Sequence, residues 1–237
     1  MENPKILIYD GSFNGFLTTV FKIFEEKIEV ANIQRNTENQ KGLFSEVTTV
    51  FTQMDKARRV WNSVQSKSNA AIKSIYFAFL SESKGMELQL YQYICSMYSN
   101  PNEEPIEGIE EIILKIQQQS RIVAREKHRI EAIANFTMSQ DQIYFSNVTP
   151  GYDVLPLISK HFRARFRDQK FIIYDNKRKY AIYYNLDTVE IISLELSAYH
   201  NKEVISQTTL KYLINNKLHS QYTSKPQRSY LNERAAV

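Results

Sequence analysis

The sequence predicts an α+β protein in which an N-terminal strand and a helical body pack on a mainly antiparallel C-terminal sheet. Two observations carry that prediction. From Phe13 to Ala134 apolar residues recur at helical spacing, whereas beyond Phe136 short β-branched and aromatic runs alternate with Asx- or Gly-containing turns. Only six glycines and six prolines interrupt the 237 residues, which favours long regular elements over loops. A single domain is expected, with a helical region over about 12–134, a sheet-rich basic region over about 135–200, and a C-terminal helix and tail over 201–237.

The elements follow in order. Lys5 to Tyr9 is a short β-branched run and reads as a buried strand, too short to stand alone and expected to join the sheet formed after Phe136. Asp10-Gly11-Ser12 turns into a helix whose Phe13, Phe16, Leu17, Val20, Phe21 and Phe24 share one face, with Asp10 or Ser12 able to cap its first turn. Ala31 to Lys41 is polar and reads as a loop. A second helix is predicted from about Ser45 to Ser66, with Val47, Val50, Phe51, Met54, Ala57, Val60, Trp61 and Val64 on one face. Ala71 to Leu80 marks a third helix ending near Gly85, and Leu90 to Tyr98 a fourth. The Pro- and Glu-containing run Ser99 to Gly108 is the best internal boundary. Ile106 to Ala134 holds the longest helical pattern, with Ile109, Ile116, Val123 and Ile130 recurring every seven residues. Strands follow at IYFSNV, FIIYD, YAIYY and VEIISLEL, interrupted by a helix over Val154 to Arg167 for which Asp153 is a candidate cap. A last helix is predicted at about Lys202 to His219.

Charge is distributed unevenly. Between Ile158 and Tyr180 stand eight basic residues (Lys160, Arg163, Arg165, Arg167, Lys170, Lys177, Arg178, Lys179) against Asp168 and Asp175, a net 8 − 2 = +6 within a chain of +4. A local basic patch is the footprint of an anionic partner. On the helix, Leu155, Ile158, Phe162 and Phe166 form the core stripe; Lys160, Arg163 and Arg167 lie on one flank, and His161 and Arg165 on the other. The following hairpin adds Lys177, Arg178 and Tyr180, and the long helix adds Arg121, Arg125, His128 and Arg129. Arginines beside aromatic platforms bind phosphates and stack bases. A solvated charged face with local ion pairs explains the same residues more plainly.

For catalysis the candidates are His161, whose residue type titrates at roughly 6.5, and the carboxylates Asp175 and Asp10 at strand ends. Turn formation explains Asp175 and helix capping explains Asp10 without any chemistry. His161 and Arg165 are expected to form a polar site at the rim of the core, with Asp175 or Asp10 as partner. The chain holds no Gly-rich phosphate loop, zinc spacing or nucleophile elbow, so neither a metal nor another cofactor is expected, and no reaction is specified. Cys95 is the only cysteine, which excludes an intramolecular disulfide. With no apolar run of about 20 residues and no signal-type start, a cytoplasmic protein without membrane contact is expected.

Three stretches, Ile6 to Phe21, Arg125 to Phe136 and Pro150 to Tyr184, carry a resemblance. With the pattern HFRARFRDQKFIIYDNKR, they resemble a bacterial domain-of-unknown-function family described as probable DNA-metabolism proteins. The resemblance implies a DNA context and a partner, a radical-SAM DNA modification or repair protein; related domains are fused to uracil-DNA glycosylase modules. The family's characteristic positions fall on Tyr9, Asp10, Gly11, His128, Arg129, Phe136, His161, Phe162, Arg165, Phe166, Asp175 and Arg178, while Asn135 departs from an expected arginine. Three functions are consistent with these residues. They are a DNA-binding accessory protein of a repair or modification system, an enzyme acting on DNA or a nucleotide through His161 and a carboxylate, and a protein-interaction scaffold.

Overall fold

Four adjacent strand residues, Ile6, Leu7, Ile8 and Tyr9, set the centre of a three-stranded sheet of their own. In the computed structural model, which describes residues 4–36, 46–100, 106–139 and 142–193, β1 (Lys5–Tyr9) lies between β2 (Val30–Arg35) and β3 (Glu46–Thr49), parallel to both. Parallel neighbours need a crossover, and α1 (Phe13–Glu26) supplies it between β1 and β2. The chain divides into two compact units, Met1–Ala124 and Arg125–Val237. This first sheet belongs wholly to the first.

The expected pairing of β1 with the C-terminal sheet is therefore corrected. The two strands that satisfy its backbone groups are disguised in the sequence. β2, VANIQR, reads as a loop because it is polar, yet Ile33 and Gln34 are buried. β3, EVTT, falls within the helix predicted from Ser45, but its β-branched residues suit a strand. The helix α2 begins only at Met54 and runs to Lys67. Ala57, Val60, Trp61 and Val64 are buried as the helical period predicts, while Val47 and Phe51, assigned to the same face, are exposed. α3 (Asn69–Phe79) and α4 (Met86–Tyr98) follow in the same unit. Its core is aromatic: the Phe13 ring centroid lies 4.9 Å from Tyr76, 5.0 Å from Phe79 and 5.8 Å from Trp61.

At the β1–α1 junction Ser12 caps the helix, its hydroxyl accepting the Gly15 N–H at 2.9 Å. Asp10 braces the turn, accepting from the Ser12 N–H and hydroxyl through Oδ1 and from Thr52 through Oδ2. Gly15 leaves the space for this contact, since a Cβ there would stand 2.2 Å from Asp10 Oδ1 and 2.9 Å from Thr52 Oγ1. Alanine is ordinarily worth about 1 kcal/mol over glycine inside a helix. Overpacking by one methyl costs about 1–3 kcal/mol. Gly15→Ala is therefore expected to lower stability in urea unfolding, against its helix propensity. A gain would mean that the Asp10 turn relaxes freely.

α5 (Ile109–Ile133) contains the division between the units, and Ile116, Val123 and Ile130 of its seven-residue repeat are buried. In the second unit a five-stranded sheet runs in chain order: β4 (Thr137–Met138), β5 (Tyr144–Val148), β6 (Phe171–Asp175), β7 (Tyr180–Tyr184) and β8 (Val189–Ser193). β5 and β6 are parallel and the other pairs antiparallel, the α+β arrangement the sequence predicts. α6 (Leu155–Arg165) is the crossover of the parallel pair. Its Leu155, Ile158 and Phe162 are buried, and Phe136 packs 5.1 Å from Phe162 and 4.6 Å from Phe166. The residue before the helix is Val154, not the expected Asp153, which binds Tyr180 instead. The helix predicted at about 202–219 lies outside the described residues. No helix among the described residues is long and apolar enough to cross a membrane.

Candidate functional site

The loop between β5 and α6 gathers polar groups from two sides. The hairpin joining β6 to β7 bends at Asp175, whose Oδ1 accepts the backbone N–H of Lys177 at 2.7 Å and of Arg178 at 3.1 Å. That short-range capture is the ordinary use of Asp in a turn. It folds Arg178 back so that Nη1 donates to Asp175 Oδ2 at 2.9 Å and to the Pro150 carbonyl at 3.3 Å, while Nη2 donates to the Gly151 carbonyl at 3.2 Å. Lys177 Nζ donates to the same Gly151 oxygen at 2.8 Å. The Asp175 side chain is fully buried and Arg178 is only 10% exposed.

From the other side, α5 presents Glu126, whose Oε1 accepts the Gly151 N–H at 2.6 Å. Arg129 grips the same carboxylate with Nε and Nη2, both at 2.7 Å. The hydrogen bond from Arg129 is the main reason that Glu126 titrates below the usual carboxylate range; burial opposes it, and the Gly151 N–H and nearby arginine charges add to the lowering. A depressed folded-state pKa stabilises the native state above the unfolded value of about 4.3. The contribution is lost as pH falls from there through the lower folded value. Urea unfolding between pH 6 and pH 3 should thus show a steeper acid loss for the wild type than for Glu126→Gln. Parallel curves would show that this carboxylate gains nothing on folding.

Further along α5, Glu131 draws in both histidines of the region. Its Oε2 lies 3.2 Å from His128 Nδ1, and its Oε1 lies 3.2 Å from Lys127 Nζ and 3.9 Å from His161 Nδ1. The Glu131 side chain is 10% exposed, whereas His161, on α6, is 45% exposed. His161 is thus exposed, and the carboxylate beside it is Glu131. Neither proposed partner fills that place: Asp175 is taken by Arg178, and Asp10 is bound by Ser12 and Thr52 in the first unit. Arg165 does not share that contact. It is exposed, with its guanidinium 5.5 Å from the Phe166 ring centroid.

The other candidates divide by position. His128, Arg129, Lys177 and Arg178 meet the Glu126–Gly151–Glu131 network. Lys160, Arg163 and Arg167 are exposed on α6 and just beyond it, Arg163 reaching to 5.9 Å from the Tyr184 ring centroid. Arg121 and Arg125 are exposed on α5. Tyr180, expected as a stacking platform, is instead an internal anchor: its hydroxyl donates to Asp153. Burial, then the Asp153 charge, holds that hydroxyl well above the ordinary tyrosine range. In the sequence Asp153 reads only as a helix cap, and Glu126 and Glu131 only as acids that partly neutralise the basic stripe of α5; their contacts with Tyr180, Gly151 and His161 come from other elements.

Among the described residues no cluster of three or more His, Cys, Asp or Glu side chains could hold a metal ion. No curated protein matches the chain. A family model described as a domain of unknown function, DUF4130, matches residues 84–233. That span takes in α4, α5, α6 and the whole five-stranded sheet. Since it covers more than half of the 237 residues, the chain belongs to the DUF4130 domain-of-unknown-function family.

Proposed function

We propose that the protein is a DNA-binding accessory component of a DNA repair or modification system. The observation that carries this reading is the segregation of charge in the second unit. Glu126, Glu131 and Asp175 are turned inward at 12%, 10% and 0% side-chain exposure, whereas Arg125, Lys160, Arg163, Arg165, Arg167, Lys170 and Lys177 are exposed. The surface is therefore more basic than the composition, and a polyanion meets it without facing those three carboxylates. The family resemblance supports a partner enzyme of the radical-SAM DNA-modification type.

DNA affinity should fall steeply with salt, log K against log [salt] having a slope of about −0.7 to −0.9 for each phosphate neutralised. Changing Arg163 and Arg167 together to glutamate should weaken binding and flatten that slope, with the thermal unfolding temperature nearly unchanged. Equal binding by both proteins at low salt overturns the reading. The contact of His161 with Glu131 favours a second reading, an enzyme acting on DNA in which this pair moves a proton. His161→Gln would then abolish turnover of bound DNA and leave its binding intact.

A further inference from the structure

The polar network around Gly151 lies at the end of the second sheet where β5 and β6 finish; the opposite end carries a separate cleft. There Met138 and Gln142, the connection from α6 to β6, and the turn from β7 to β8 surround a cavity of about 290 Å³. Its lining includes Met138, Gln142, Tyr144, Gln169, Lys170 and Leu186. Two of these are exposed hydrophobic side chains, Met138 at 64% and Leu186 at 47%. Tyr144 brings an aromatic ring, tilted against Phe166 at 5.0 Å.

We infer that this cleft receives an unstacked nucleobase of single-stranded DNA, an inference that rests on the DNA-binding reading above. Three features select a base over other ligands. First, the walls offer an aromatic ring and apolar side chains together with two primary amides, which can pair with the edge of a base. Second, Asp168 also lines the cleft, and a carboxylate disfavours a phosphate inside it while accepting from an exocyclic amine. Third, phosphates have somewhere else to go: Arg163 and Arg167 are exposed on the C-terminal half of α6 and on the connection that forms one wall. The volume lies just below the roughly 300 Å³ where small-molecule sites begin, which suits a single ring system.

The walls are also held in place. The Tyr184 hydroxyl donates to the carbonyl of Leu186 at 2.8 Å and sits 3.3 Å from that of Arg167, tying two of the three segments together. Leu186 itself is kept at φ 88°, a conformation unusual for a branched residue. Asn185 Oδ1 fixes that turn by accepting the N–H groups of Asp187 and Thr188 at 2.9 and 2.8 Å. Backbone strain of this kind collects at ligand clamps.

The test titrates the full chain with a short fluorescein-labelled oligodeoxythymidylate and with the same strand made of abasic sugar-phosphate units, following anisotropy. The wild type should prefer the base-bearing strand roughly five- to hundredfold, the range of one base stacked on an aromatic side chain. Tyr144→Leu should lose that preference while keeping the abasic affinity. Leu186→Gly, which suits the positive φ and removes one wall, should do the same and serves if Tyr144→Leu does not fold. Equal wild-type affinity for the two strands overturns the cleft assignment and leaves the DNA reading standing, as does full discrimination by a folded variant. A wild type that binds neither strand overturns both.

Discussion

Arg178→Ala should destabilise the second unit by about 3–5 kcal/mol, the cost of stranding one member of a buried ion pair. Asp175 is fully buried, so water cannot replace the guanidinium that it loses. Its Oδ1 would still accept two backbone N–H groups, which places the expected cost toward the lower end. The same substitution removes the bonds to the Pro150 and Gly151 carbonyls, loosening the loop that Glu126 holds from the other side. Asp175→Asn should also be costly, because Arg178 then loses the buried carboxylate to which Nη1 donates. The double variant Arg178→Met/Asp175→Asn should recover much of the loss, since removing both charges avoids the penalty. Urea unfolding of the four proteins gives the coupling directly. A single-variant cost below 1 kcal/mol would show that the pair is not sealed from water.

This pair also shows where sequence reasoning succeeds and where it stops. The turn at Asp175 is legible because Asp-Asn-Lys-Arg between two strand-like runs names it locally. The buried stripe Leu155, Ile158 and Phe162 is legible for the same reason: spacing alone fixes a helix face. So is the change from helices to strands near Phe136, which makes the α+β class accessible. The partner of His161 was not legible, since Glu131 stands 30 residues away on another helix and only the packing of α6 against it brings them to 3.9 Å. β2 escaped because a strand needs only part of one face apolar, and VANIQR shows just Ile33 and Gln34 buried. Its Arg35 and Gln34, read as loop polarity, belong to the interior of the first unit. Polar composition marks a loop only when the polar groups face water.

Glu87→Ala tests that interior and should cost the first unit about 3–5 kcal/mol. The Glu87 side chain, 6% exposed on α4, accepts through Oε1 from Arg35 Nε of β2 at 2.8 Å and from the Tyr9 hydroxyl of β1 at 3.2 Å. Arg35 is further held by the Phe79 carbonyl at 3.3 Å, by the Phe79 ring 4.9 Å away, and by Glu82 at 3.6 Å. Burial is the largest reason that the Tyr9 hydroxyl titrates far above its ordinary range, so it stays protonated and needs an acceptor. Alanine removes that acceptor and leaves a largely buried guanidinium with only its more exposed, longer-range carboxylate. Glu87→Gln keeps an oxygen for both donors and loses the charge, and should cost less, about 1–3 kcal/mol. Because one carboxylate joins two strands to α4, its loss should also speed amide hydrogen exchange in α4 ahead of the rest of the unit. Uniform acceleration across α1 to α4 would instead mean that Glu87 acts on global stability without specially fastening that helix to the sheet.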